Sequence, residues 1–176
     1  VLSPQLTIDD PTIQERFITE GRTAARLDHP NVVKILDAGK VNNYSYIAME
    51  YCDSVVLDKA LEVKKALEPI QVIKIAIELS KVLHYSLENF SLIHRDIKPG
   101  NILLTKTSKV KLMDFGLAKI MNEPDKHQTI SGKLYGTLYY MSPEQIIVSN
   151  SIDFRADMYS FGATLYHLLT GNRPFE

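Results

Sequence analysis

The stretch His94-Arg95-Asp96-Ile97-Lys98-Pro99-Gly100-Asn101 sets a carboxylate, an ammonium and an amide two and three residues apart, and a second carboxylate, Asp114, follows Asp96 by eighteen positions at the head of Asp114-Phe115-Gly116. Moving a phosphoryl group from a nucleotide to a hydroxyl asks little covalent chemistry of a protein. It asks for positioning, for metal ions on the phosphate oxygens, and for a group that accepts or orients the hydroxyl proton. Asp96 can be that base, Lys98 a cation for the transferring group, and Asn101 with Asp114 the hard oxygen ligands that Mg²⁺ prefers. Gly116 permits a sharp backbone turn directly after the second carboxylate.

Both motifs fall on connections beside strands. Asn101-Ile102-Leu103-Leu104-Thr105 and Lys109 to Asp114 bracket a short polar turn as a hairpin. A second hairpin is predicted earlier, with Val32 to Gly39 and Tyr44 to Tyr51 about a loop from Gly39 to Asn43. Asp10-Pro11 is a good cap and first-turn pair for a helix. Its apolar stripe, Ile13, Phe17, Ala24 and Leu27 with Gly21 in the step between, runs to Asp28-His29-Pro30-Asn31 and leaves Glu20 beside it. Pro69 to about Leu87 is apolar on most faces and reads as a helix buried on several sides. Residues 157–171 read as another, nearly all-apolar helix ending at Gly171, and the long polar segment 117–144 reads as a functional or mobile loop. A lone two-stranded hairpin is marginally stable.

The 176 residues suffice to bury roughly two thirds of the unfolded surface in one core without staples. A net charge of -1 gives no field to attract nucleic acid or an acidic membrane, so any charged substrate is handled locally. Cys52, the single cysteine, forms no internal disulfide and reads as a buried thiol. No run of about 18 apolar residues appears, and the first residues lack the pattern of a signal peptide. This segment is expected to make no membrane contact. The Lys64-Lys65 pair and the lysines from 106 to 111 read as solvated faces.

The ordered motifs resemble the protein kinase superfamily, specifically the bacterial, eukaryotic-like serine/threonine kinases. Arg16 to Val33 is similar to the αC helix of a kinase and its exit, Ala48 to Cys52 to a hinge, and His94 to Asn101 and Asp114 to Lys119 to the catalytic and metal-binding loops. Gly136 to Gln145 and Asp157 to Phe175 complete the series. The resemblance implies an α+β, protein-kinase-like fold, with residues 1–52 as part of the smaller lobe and 53–176 as part of the larger, mainly helical one. It implies ATP-dependent phosphoryl transfer to serine and threonine hydroxyls of protein substrates, with Mg²⁺ (or Mn²⁺) as the metal, in the cytoplasm. A membrane anchor elsewhere in a longer protein stays open. The alternative is a kinase-like binding module, which filled positions at Asp96, Lys98, Asn101 and Asp114 argue against.

Carried over by position, Asp96 is the base, Lys98 a γ-phosphate contact, and Asn101 and Asp114 the metal ligands. Glu50 and Cys52 hydrogen-bond adenine through their backbones, Met49 is the gatekeeper and Leu103 the floor beneath the ring. Arg95 is similar to the arginine that grips a phosphate on the activation segment, where charge-assisted bonds order a loop. Thr129 and Ser131, eight and six residues before Thr137, match paired autophosphorylation sites, and Thr137 matches the substrate-facing threonine. His94 is implied to pack against Phe115, and Asp157 to cap the backbone of the Asp96 loop. Glu20 matches the glutamate that pairs with a strand lysine. That lysine and the glycine-rich loop are expected before Val1, and the arginine that pairs with Glu144 beyond Glu176. On that expectation, this stretch alone is a poor phosphotransferase, with exposed edges that favour self-association.

Overall fold

The computed structural model describes residues 11–42, 44–115, 138–147 and 152–174. Helix α1 (Pro11–Ala24) turns Phe17, Gly21 and Ala24 inward. It ends at Ala24, short of the expected stop, where Arg26 N–H donates to Thr23 O and Leu27 N–H to Ala24 O. This tighter turn still delivers Leu27 to the core. The helix packs on a hairpin of β1 (Ile35–Val41) and β2 (Tyr44–Met49). β1 runs two residues further than the sequence suggests, and Asn42 directly after it takes a left-handed φ of 53°, the conformation that lets two strands reverse over a short connection. A Cβ on Gly21 would lie 2.9 Å from Ile47 Cδ1, so the missing side chain lets helix and hairpin approach.

Strand β3 (Ser54–Val56), which the sequence pattern does not reveal, leads into helix α2 (Leu57–Lys64) and joins β4 (Ile102–Thr105) and β5 (Val110–Leu112) in a three-stranded antiparallel sheet. The two sheets meet where Val33 N–H donates to Leu112 O and Leu112 N–H to Asn31 O. Asn31 Nδ2 also donates to Val110 O and to Glu78 Oε2, which accepts from Val110 N–H as well.

Helix α3 (Pro69–Phe90) runs three residues past the expected end. It closes where Ser91 turns left-handed and the Ser91 and Leu92 amides return to Leu87 O and Ser86 O. The expectation of burial on several sides is corrected. One face, Val72, Ile75, Leu79, Val82 and Ser86, is buried, while Ile70, Ile73 and Ile77 stay half or more exposed. After the short helix α4 (Pro143–Ile146), helix α5 (Phe154–Thr170) shows the same departure more sharply. Its buried face includes Asp157, Ser160, Thr164 and His167, and Phe154, Met158, Tyr166 and Leu169 are exposed. At its C-terminus Gly171 has φ 74°, and a Cβ there would collide with the Lys65 carbonyl. Leu67 N–H donates to Leu168 O at the same junction, fixing α5 against the α2–α3 connection.

Candidate active site

The polar stripe of α5 has a physical reason: it faces a loop whose backbone groups have no helix or sheet to satisfy them. Asp157, one twentieth exposed, accepts from the amides of His94 and Arg95 through its two oxygens, each at 2.7 Å. Thr164 Oγ1 donates to Ile97 O at 3.2 Å. The cap expected for Asp157 is the one observed. Burial pushes its carboxyl up, against the pull of the His94 and Arg95 amides and the Arg95 charge.

His94 is fully buried and uses both ring nitrogens. Nε2 lies 2.9 Å from Met113 O, and Nδ1 accepts the Asp96 amide at 3.2 Å, which together require the neutral tautomer with the proton on Nε2. Its ring meets Phe115 edge to face at 4.6 Å, as the resemblance implies. The Met113 amide in turn donates to Asn101 O at 3.0 Å. One histidine and one peptide thus join the Asp96 loop to the Asp114 loop.

Within this frame Lys98 Nζ lies 2.8 Å from Asp96 Oδ2. Asn101 Nδ2 donates to Asp96 O and Asp96 Oδ2, at 2.7 and 2.8 Å. Among the described residues Asp96 Oδ1 is buried with no hydrogen-bond partner, so one oxygen of the carboxylate is fixed and the other is left unsatisfied. Asp114 has a left-handed φ of 65° and Arg95 one of 69°, conformations that non-glycine residues hold only when their surroundings over-determine them. Burial pushes the Asp114 carboxyl up, Asp96 adds to the shift, and Lys98 opposes it. A desolvated carboxylate beside a second one suits a divalent cation. With Nδ2 of Asn101 engaged, its Oδ1 is the atom that suits a hard metal ion. Among the described residues, no three His, Cys, Asp or Glu side chains gather as a metal cage. Mg²⁺ commonly takes one or two carboxylates and completes its shell with water and phosphate.

The hinge expectation falls on the end of β2 and the chain after it. The Glu50 amide donates to Lys34 O at 2.9 Å, and the Cys52 carbonyl accepts from Ser54 Oγ at 3.0 Å. Among the described residues these bonds leave the Glu50 carbonyl and the Cys52 amide for a ligand. Cys52 is half-buried, less than expected, and burial pushes its thiol up. Leu103 is half-buried on the face of β4 opposite the fully buried Ile102.

Lys111 corrects the solvated reading. Its Nζ reaches Glu50 Oε1 at 2.5 Å and Val32 O at 3.2 Å, and Glu50 Oε1 also accepts the Lys34 amide. Burial raises the Glu50 carboxyl, but Lys111 and Lys34 outweigh it and the net shift is downward. A cavity of about 280 Å³ beside this pair, lined in part by Leu27, His29, Lys34, Glu50 and Lys111, contains none of Asp96, Lys98, Asn101 or Asp114. Glu20 is half-buried on α1. Thr129, Ser131 and Thr137 lie outside the described residues, as do Asp10 and Gly116.

The protein kinase domain family model matches residues 5–176. The chain belongs to the protein kinase family. It has the protein-kinase-like mixture of helices and small sheets that the resemblance implied. A probable serine/threonine-protein kinase of Streptomyces coelicolor, SCO3848, is 40% identical over 170 residues, 94% of this chain and 25% of the relative. The serine/threonine-protein kinase PknB of Mycobacterium tuberculosis is 38% identical over 94% of this chain and 27% of its own length. The chain therefore spans about a quarter of these curated relatives. The crystal structure of the PknI kinase domain from M. tuberculosis aligns with all of this chain and 62% of its own, with TM-score 0.78 and 29% identity. Among the described residues no helix is long and apolar enough to cross a membrane.

Sequence reasoning missed Lys111 and Gln145. Gln145 Nε2 donates to Arg95 O at 2.8 Å, and its Oε1 accepts from the Ser142 amide. Helix-start spacing of Ser142 and Gln145 signals a capping box, but nothing in the sequence signals the reach to Arg95.

Proposed function

We propose that the protein carrying this chain transfers the γ-phosphoryl group of ATP to serine and threonine hydroxyls of protein substrates. The observation that carries this reading is the Asp96 carboxylate, with Oδ2 held by Asn101 and Lys98 while Oδ1 is buried and, among the described residues, unpartnered. Oδ1 accepts and orients the substrate hydroxyl, and Lys98 meets the oxygens of the transferring group from the same loop. Asn101 and Asp114 would hold Mg²⁺, which when bound neutralises charge on the phosphate oxygens. The Glu50 carbonyl and Cys52 amide hold the adenine edge, with Met49 beside the ring and Leu103 beneath it. The names of the relatives favour serine and threonine over tyrosine.

The same reading divides the chain after residue 52 into parts of a smaller and a larger lobe. It makes Arg95 the acceptor of a phosphorylated activation segment, with Thr129 and Ser131 as autophosphorylation sites and Thr137 facing substrate. The chain spans about a quarter of the curated relatives it matches. The test therefore uses the full-length protein with Mg²⁺, radiolabelled ATP and a generic protein substrate. Label on serine or threonine that disappears in Asp96→Asn supports the reading, and label on tyrosine alone, or none, sinks it. Mass spectrometry of the ATP-treated protein that finds neither Thr129 nor Ser131 modified sinks the autophosphorylation part.

A further inference from the structure

Arg95 directly precedes the base and is held in a left-handed conformation, φ 69°, that its side chain disfavours. Two groups from distant parts of the chain hold its peptide units. Asp157 on α5 takes the Arg95 amide at 2.7 Å, and Gln145 on α4 gives its Nε2–H to the Arg95 carbonyl at 2.8 Å. That carbonyl belongs to the peptide joining Arg95 to Asp96, so its orientation sets where the Asp96 carboxylate begins. Gln145 is nine-tenths buried. Its Oε1 is occupied from the other side, accepting the Ser142 amide at 3.1 Å and Ser142 Oγ at 3.2 Å. The side-chain amide thus has two separable uses: an acceptor that closes the turn at Ser142, and a donor that reaches fifty residues back in sequence to the catalytic loop.

We infer that Gln145 is a positioning residue for Asp96, transmitting the placement of the 138–147 segment to the base through the Arg95 carbonyl. This rests on the phosphoryl-transfer reading above. A rearrangement of that segment that withdraws Nε2 releases one of the two clamps on Arg95 and lets the peptide rotate, which moves the base while leaving the adenine contacts at Glu50 and Cys52 in place. The link runs from α4 to the Asp96 loop through a single neutral hydrogen bond, so it can open and close without uncovering a charge.

The isosteric change Gln145→Glu separates the two uses. A carboxylate still accepts from Ser142, but its second oxygen faces the Arg95 carbonyl with no proton to give. In the full-length protein the expected result is a kcat lowered about ten- to a hundredfold with KM for ATP within about twofold of the unsubstituted protein, since small misplacements at the reacting centre cost on that scale. Ser142→Ala makes the reverse change, weakening the turn while sparing the Nε2 donor, and is expected to lower the melting temperature with kcat retained. Full activity in Gln145→Glu, or a rise in KM for ATP with kcat unchanged, overturns the proposal. If Gln145→Glu fails to fold, NMR on the unsubstituted protein decides. Slow solvent exchange of the Gln145 side-chain amide protons upholds the tether, and fast exchange overturns it. Absence of any kinase activity in the unsubstituted protein overturns the functional reading alone, because the exchange measurement still shows whether the tether exists.

Discussion

The loop that carries Asp96 and the strand end that carries Glu50 are built in opposite ways. Around Asp96 the constraints are buried, polar and numerous: Asp157 and Gln145 on Arg95, Thr164 on Ile97, His94 on Met113, Asn101 on Asp96 itself. At the hinge, a two-stranded hairpin packs on α1 through Phe17, Ala38 and Ile47, and a partly solvated pair, Lys111 with Glu50, ties it to β5. A buried hydrogen bond fails steeply when its geometry is lost, whereas apolar contacts and half-exposed ion pairs tolerate sliding. Asp96 is fixed to a rigid scaffold, and Glu50 and Cys52, proposed to meet adenine, ride on an element that can shift with a ligand.

The largest test removes the proposed base. Asp96→Asn in the full-length protein should lower kcat by about 10²- to 10⁴-fold with KM for ATP little changed. Retained turnover would place the chemistry elsewhere and end the contrast.

Next comes the scaffold. Asp157→Ala strands two buried amides, and urea denaturation should report a loss of about 2–5 kcal/mol. A loss below about 0.5 kcal/mol would mean that the Asp96 loop is no better anchored than an ordinary surface turn.

Asp114 should set function against stability. Its folded pKa is raised by burial, so the carboxyl favours the fold when protonated, below its ordinary value of 3.8, and that contribution is lost as pH rises through the folded pKa. At neutral pH, Asp114→Asn should therefore raise the melting temperature of the ligand-free protein while abolishing Mg²⁺-dependent transfer. A lower melting temperature would contradict it.

The smallest effect belongs to the hinge. Lys111→Ala should cost up to about 1 kcal/mol at neutral pH, reduced at high salt. Because the Glu50 pKa is depressed in the fold, the pair contributes above the ordinary value of 4.5 and is lost as pH falls through the lower folded pKa. Chemical denaturation compared across that acid range measures it. An effect as large as that of Asp157→Ala would make the two regions alike.

Much of this was legible in sequence because the signals are local. A proline at the first turn, alternation in β4 and β5, Gly171 at the end of α5 and the spacing within His94 to Asn101 each reflect constraints acting over a few residues. Helix α5 shows where that legibility stops. Asp157, Ser160, Thr164 and His167 recur at helical spacing as a buried polar stripe, yet the composition of the segment reads as apolar. Hydrophobicity predicts the inward face only when the neighbour is also apolar, and here the neighbour is a loop with bare backbone groups. Tyr140 shows the same thing from the other side: its hydroxyl bonds His167 Nδ1 at 2.6 Å and, buried, is pushed up to about 12.

The sequence by itself pointed to the family and singled out Asp96, Lys98, Asn101 and Asp114 as candidates, since these depend on residue type and short spacing. The tertiary structure decided which oxygen of Asp96 is held, that Lys111 turns from solvent to Glu50, and that Gln145 reaches Arg95. Hydrogen bonds between residues fifty or sixty positions apart depend on distances and angles that only the packed chain brings into range, so no local pattern records them.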